Sequence, residues 1–194
     1  MTFDFALEIL GFTVGMIYLW YEYHANSKLW IASVIMPLIS LWIFFNKGLY
    51  ADFAINIYYL LIAVYGYLAW TFNFKKKEKR TLPITRMPLW AWGAASGAFI
   101  ALWGFIAWVL LEFTDSTVPY LDSFTTALSI VAMWMLARKY AEQWFIWIIV
   151  DGVYVYLYAY KGIYLYALRY LFYVIIAFLG YRKWLKMMKE TKHN

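Results

Sequence analysis

Seven apolar runs, separated only by brief polar connectors, leave this chain little to fold into except a bundle of membrane-spanning helices. The runs are Phe3–Tyr23, Leu29–Phe45, Leu49–Thr71, Leu89–Leu111, Leu121–Leu136, Trp144–Tyr160 and Ile163–Trp184. Crossing a hydrocarbon core about 30 Å thick takes about 20 mostly apolar residues. Within that core a helix satisfies its own backbone N–H and C=O groups. The second and sixth runs are short. At 14% charged residues, the chain lacks the surface of a soluble domain, where about a quarter of residues are charged. The predicted fold class is all-α: a polytopic membrane protein with seven transmembrane helices, forming one transmembrane domain over 1–194. No cleavable signal peptide is expected. The first run follows no basic segment and ends in Tyr21-Glu22-Tyr23-His24. The absence of cysteine excludes disulfide and thiol chemistry.

The net charge of +6 does not point to nucleic acid, because its distribution reads as a topology signal. With the N-terminus outside, one side receives Lys28, the run Lys75-Lys76-Lys77-Glu78-Lys79-Arg80, Arg86, Arg138, Lys139 and the tail Arg182, Lys183, Lys186, Lys189 and Lys192. The other side receives Lys47 and Lys161, and Arg169 falls inside the last span. Basic residues concentrate on the cytoplasmic side of membrane proteins. The expected orientation therefore has the N-terminus outside and the C-terminus cytoplasmic.

An internal repeat organises the chain. Asn46–Trp70 aligns without a gap on Tyr160–Trp184, and nine positions match: Lys47/Lys161, Gly48/Gly162, Tyr50/Tyr164, Tyr59/Tyr173, Ile62/Ile176, Ala63/Ala177, Gly66/Gly180, Tyr67/Tyr181 and Trp70/Trp184. The same offset pairs Trp30 with Trp144, Trp20 with Trp134, Leu7 with Leu121 and Glu8 with Asp122. Spans 1–3 thus correspond to spans 5–7, with span 4 as linker. The expected limits are repeat one at 3–72, a linker helix at 88–112 and repeat two at 120–184. An offset of four spans preserves direction, so the units are expected to be parallel repeats. That is a transporter architecture with substrate held at the repeat interface.

Polar groups inside spans are costly and tend to be functional. Asp52, Asn56 and Tyr59 share one helix face by their spacing, and so do Trp144, Trp147 and Asp151. Both faces are read as belonging to the inner helices of their units. Indoles and phenols beside a carboxylate suit a flat cationic ring, each cation–π contact being worth about 0.5–2 kcal/mol. The candidate substrate-binding residues are Trp144, Trp147, Asp151, Asn56, Tyr59, Asp52, Asp122 and Thr126. Trp144 also fits an interfacial position, as do Trp70, Trp90, Trp92 and Trp184. Asp52 and Asp122, near outer span ends, also fit helix capping. Arg169 is expected to pair with an aspartate, and Gly66 and Gly180 to permit close helix packing. His24 and His193 lie near polar ends, so no histidine-based metal cluster or catalytic triad is expected. No glycine-rich phosphate loop is present. Neither an enzyme, a cofactor nor a metal is therefore expected.

These residues resemble the Pnu family of bacterial vitamin transporters over nearly the whole chain. The resemblance rests on Gly48-Leu49-Tyr50-Ala51-Asp52 running into Ile57-Tyr58-Tyr59 and Tyr65-Gly66-Tyr67-Leu68-Ala69-Trp70. It continues in Asp122-Ser123-Phe124-Thr125-Thr126-Ala127-Leu128-Ser129 with Ala137-Arg138-Lys139, and in Trp144-Phe145-Ile146-Trp147 with Asp151, Leu157-Tyr158 and Lys161-Gly162. It implies a 3+1+3 fold like a sugar transporter of the SWEET type, a homotrimer, and facilitated diffusion of a vitamin. Nicotinamide riboside is the first expected substrate, with thiamine and riboflavin also taken within the family, and a cytoplasmic kinase traps the product. Nicotinamide riboside members often carry Gln where Asn56 stands, Asn where Ile148 stands and Gln near Met133. A seven-helix receptor and an assembly subunit are the alternatives of another class. A retinal-binding receptor would need a mid-span lysine, whereas the last span carries Arg169 inside and Lys183 only at its end.

Overall fold

The computed structural model describes residues 3–47, 50–72 and 82–193, apart from the side chains of 3–11, 36, 39, 43, 44, 46, 47, 50–52, 54, 192 and 193. The basic run Lys75–Arg80, Gly48, and the side chains of Leu7, Glu8, Lys47, Tyr50 and Asp52 therefore lie outside the described residues. Seven helices follow in order: α1 Phe3–Tyr23, α2 Lys28–Lys47, α3 Tyr50–Thr71, α4 Leu89–Phe113, α5 Pro119–Ala137, α6 Gln143–Tyr160 and α7 Tyr164–His193. Every expected run is a helix. The largest difference is α7, which continues beyond Trp184 to a length of 30 residues. Its added turns are built from good helix formers and carry a Lys186–Glu190 pair at 3.9 Å.

By length and hydropathy, α4, α5 and Tyr164–Thr191 of α7 qualify as spans, while Lys28–Trp42 and Ile55–Thr71 are apolar but shorter. The 18 residues of α6 reach about 27 Å at 1.5 Å per residue, close to the thickness of the core. Pro37 sits inside α2, where its ring removes one backbone hydrogen bond.

The helices form two compact units, divided between Pro83 and Ile84. In the first, α2 packs between α1 and α3; in the second, α6 packs between α5 and α7, and α4 lies against α5. The expected inner position thus holds for α6 but not for α3, which packs on α2 just as α7 packs on α6. The linker helix groups with the second unit. α4 buries only Ala91, Ala95 and Ala107, small residues that let it approach α5. Leu89, Trp90, Ile100, Phe105 and Phe113 are exposed, as apolar side chains facing lipid are.

One turn is built twice. The α1–α2 connection places Ala25 in the left-handed region (φ 49), and the α5–α6 connection places Lys139 there (φ 59). These are equivalent positions in the repeat register. Ala25 N–H donates to Glu22 C=O and Asn26 N–H to Tyr21 C=O; Lys139 N–H donates to Leu136 C=O and Tyr140 N–H to Met135 C=O. That is the Schellman pattern at both helix ends, which satisfies terminal carbonyls. Beyond the turn, Trp30 N–H donates to Ser27 C=O and Trp144 N–H to Ala141 C=O, so α2 and α6 restart identically.

A tryptophan knob is also built twice. Trp30 meets Trp70 edge-on with ring centroids 5.7 Å apart, and Trp144 meets Trp184 edge-on at 5.8 Å. All four indoles are buried. A Cβ on Gly66 would overlap the Trp30 ring, and one on Gly180 would come within 2.6 Å of Trp144. The two glycines are therefore the holes that receive the knobs. Trp70 and Trp184 are not the interfacial residues expected of them, since their rings close the α2–α3 and α6–α7 contacts. Trp90 remains exposed.

Candidate functional site

The polar residues of the second unit gather around α6. Trp147, Asp151, Tyr154 and Tyr158 succeed one another at three- and four-residue spacing, so they share a face. Asp151 is 8% exposed. Among the described residues it makes no hydrogen bond or ion pair. The Trp147 indole N–H is buried and lacks an acceptor among the described residues. Tyr154 lies within electrostatic reach of Asp122, Asp151 and Tyr158 and beside Thr125 of α5.

The hydroxyls of α5 are largely engaged by their own helix. Ser123 donates to Tyr120 C=O, Thr125 to Leu121 and Asp122 C=O, and Ser129 to Thr125 C=O. This back-bonding is how a helix interior absorbs hydroxyls. Thr126 is half-buried on the same helix. Asp122 lies in the first turn of α5 and accepts a hydrogen bond from the Ser116 hydroxyl at 2.8 Å. A carboxylate there is favoured by the positive end of the helix dipole.

The structure places Trp144 differently from Trp147. Its ring is 1% exposed and buried between Gly180 and Trp184, so it joins α6 to α7. Among the described residues Arg169 pairs with no aspartate. Its guanidinium carbon lies 4.5 Å from the centroid of the Tyr166 ring and 5.4 Å from that of Tyr170. Tyr170 in turn sits 4.7 Å from Tyr154 and stacks nearly parallel on Tyr158 at 5.4 Å. α6 and α7 thus share a tyrosine cluster at the end where they are joined.

In the first unit, Asn56 and Tyr59 are half-buried on α3. The Asp52 side chain lies outside the described residues. Tyr18 of α1 is within electrostatic reach of Tyr59 and of Glu22. Glu22 is 2% exposed, a buried carboxylate that its place in a polar span end did not reveal.

A second missed carboxylate is Glu142, buried just before α6. It accepts hydrogen bonds from Met87 N–H at 2.9 Å and from Arg86 at 3.1 Å, and Arg86 also donates to the Tyr181 hydroxyl. A short parallel bridge between Thr85 and Tyr140 runs beside them. Together these contacts fasten the segment before α4 to the α5–α6 turn and to α7. The hydrogen bond to Glu142 raises the Arg86 pKa above its ordinary value. Burial pushes the neighbouring Lys139 amine down to about 8. Among the described residues no three His, Cys, Asp or Glu side chains gather as metal ligands would.

A family model described as "Nicotinamide mononucleotide transporter" matches residues 5–186. The chain is 28% identical to the nicotinamide riboside transporter PnuC of Escherichia coli (strain K12), over 76% of this chain and 72% of that protein. It matches PnuC of Shigella flexneri to the same extent. Among solved structures, the vitamin B3 transporter PnuC aligns with a TM-score of 0.66, covering 91% of this chain and 79% of that one. At 21% identity that likeness shows the fold. The chain belongs to the nicotinamide mononucleotide transporter family, a family of multi-pass membrane transporters and not of enzymes.

Proposed function

We propose that the chain takes up a cationic, water-soluble vitamin by facilitated diffusion, with nicotinamide riboside as substrate, alternating access as the mode and phosphorylation by a cytoplasmic kinase as the trap. Asp151 carries this reading: it is a carboxylate buried on α6 without a protein partner among the described residues. Removing an isolated carboxylate from water costs several kcal/mol even after relaxation, and a cation arriving beside it recovers that cost. Trp147 on the same face supplies an aromatic quadrupole for the ring and an indole N–H in need of an acceptor. The proposed site therefore centres on Asp151 and Trp147, with Thr126 and Asp122 of the neighbouring α5 as further candidates. Trp144 acts behind them by holding α6 against α7. Asp52, Asn56 and Tyr59, which share a face by their spacing in the sequence, are the candidates of the first unit. The relative from Escherichia coli, named for nicotinamide riboside, favours that substrate.

The reading extends to the architecture. The 3+1+3 plan, with repeats at 3–72 and 120–184 and a linker helix at 88–112, is supported by the twinned turn and the twinned knob. The basic segments support an orientation with the N-terminus outside, and the bacterial relatives favour the inner membrane as the location. The homotrimer rests on family resemblance, and light scattering of the purified protein tests it.

Titration with nicotinamide riboside, thiamine and riboflavin, followed by tryptophan fluorescence, tests the substrate. Silence toward all three sinks the proposal. Asp151→Asn is expected to lower affinity for a cationic vitamin more than tenfold; an unchanged Kd would remove Asp151 from the site. Thiamine is the second reading. It shares the cationic ring without the ribose, and the buried apolar Met133 and the half-buried Ile148 replace polar groups frequent in nicotinamide riboside carriers.

A further inference from the structure

One carboxylate joins three parts of the second unit. Glu142 is buried at the start of α6. Its Oε2 accepts from the Met87 backbone N–H at 2.9 Å, and its Oε1 accepts from Arg86 Nη1 at 3.1 Å. The same Arg86 nitrogen donates to the Tyr181 hydroxyl of α7 at 2.9 Å. Tyr181 in turn rests on Phe145 of α6, with ring centroids 4.3 Å apart. Beside the carboxylate, Thr85 N–H donates to Lys139 C=O and Ala141 N–H to Thr85 C=O. The Met87 side chain enters the core that Leu128, Val131, Met135 and Ile146 help to build. The lead-in to α4 is thus held at the α5–α6 turn, at α6 and at α7.

Those contacts matter because α4 has few others. Among the described residues of its unit it packs on α5 and on no other helix, and it buries only three alanines. Apolar attraction scales with the area removed from water, and between helices in lipid even that drive is missing. The first unit has no such clamp. Lys28 stands at the position of Glu142 in the repeat register, and its side chain can accept from neither an N–H nor a guanidinium. The clamp is therefore a feature of the linker helix and not of the repeated scaffold. Alternating access in transporters built from repeats is largely the rocking of one bundle as a rigid body, and coupling is carried by packed, hydrogen-bonded elements. We infer that Glu142 is a positioning residue of the transport cycle: through Met87 and Arg86 it fixes the lead-in of α4 to α6 and α7, so that α4–α7 move as one piece and carry Trp147 and Asp151 with them. Glu142 touches no substrate in this role. The inference rests on the proposed alternating access.

The test measures binding and transport separately on the full chain. Tryptophan fluorescence gives the Kd for nicotinamide riboside and thiamine, and uptake of both into proteoliposomes gives a maximal rate per folded protein. Glu142→Gln keeps an acceptor for the Met87 N–H but breaks the ion pair, and is expected to slow maximal uptake about fivefold with Kd held within about twofold. Tyr181→Phe removes the hydroxyl that Arg86 reaches, keeps the ring against Phe145, and is expected to slow uptake about twofold. It carries the test should Glu142→Gln fail to fold. Because the chain lacks cysteine, Thr85→Cys with Tyr140→Cys, across the short bridge, supplies a single thiol pair. Paired extended segments lie about 5 Å apart, within reach of a disulfide. The oxidised form is expected to take up vitamin within about twofold of the reduced form, since a rigid body tolerates a crosslink inside itself. Wild-type rates in both single variants overturn the role of Glu142 and leave the transport reading standing. A loss confined to Kd does the same, and so does uptake blocked by the disulfide, which would mean that the clamp opens in each cycle. Absence of uptake by wild type overturns the transport reading and this role with it.

Discussion

The two units share a scaffold and differ in chemistry. Trp30, Gly66 and Trp70 in the first make the same contact as Trp144, Gly180 and Trp184 in the second, and the turns at Ala25 and Lys139 carry the same hydrogen bonds. One turn away from the knob the units part. Ser33 and Pro37 of α2 stand where α6 has Trp147 and Asp151. The Ser33 hydroxyl donates back to Trp30 C=O and Pro37 interrupts its helix, whereas Trp147 and Asp151 leave polar atoms without protein partners among the described residues. The duplicated residues set helix spacing, with the Trp30 and Trp144 indole N–H groups buried like that of Trp147 and without an acceptor among the described residues; what divergence adds is the buried carboxylate of Asp151, where the first unit has Pro37. A residue's membership of a motif therefore does not decide its role: Trp144 and Trp147 belong to the same short element, yet one is spent on packing.

The largest expected effect tests the shared scaffold. Gly180→Ala and Gly66→Ala each force a methyl into an indole, and overpacking of that kind costs about 1–3 kcal/mol or more. Thermal unfolding in detergent is expected to show both variants destabilised, with Gly93→Ala, where a Cβ meets nothing within 4 Å, unaffected. Comparable Tm values for all three would break the comparison.

Substitution of Trp147 sharpens the divergent side. Trp147→Ala is expected to weaken vitamin binding by at least about 1 kcal/mol, while Ser33→Ala, at the equivalent place, leaves it within twofold. A Kd shift of similar size from both variants would mean that both units contribute alike.

The twin turns differ in what occupies the left-handed position, and pH reads that difference. Lys139 has a folded pKa near 8 against 10.5 ordinarily, because burial disfavours its charge. Between these values the unfolded chain binds more protons than the folded one, so stability rises with pH across that window, by at most about 1.4 kcal/mol per unit. Below pH 8 the contribution is flat. Melting temperatures from pH 7.5 to 9.5 are expected to show the rise, and Lys139→Met to flatten it. The smallest effect belongs to Ala25→Gly, which relieves left-handed strain and is expected to stabilise by about 0.5–1 kcal/mol; a lower Tm would contradict the φ of 49°.

The sequence by itself determined seven helices, a membrane setting and the offset of the repeat. Length and hydropathy of a run belong to the run, and a helix in lipid needs no partner to satisfy its backbone. Spacing also put Asp151 and Trp147 on one face correctly, since the helical period is local. Only the tertiary structure decided where side chains point once helices meet. It turned Trp144, Trp70 and Trp184 inward, because glycines across from Trp30 and Trp144 leave room for an indole. It laid Arg169 over tyrosines rather than against a carboxylate, and it gave Glu142 a backbone N–H and a guanidinium more than fifty residues distant in sequence. Those outcomes depend on which neighbour fills the space beside a residue, and periodicity within one helix carries no record of that neighbour.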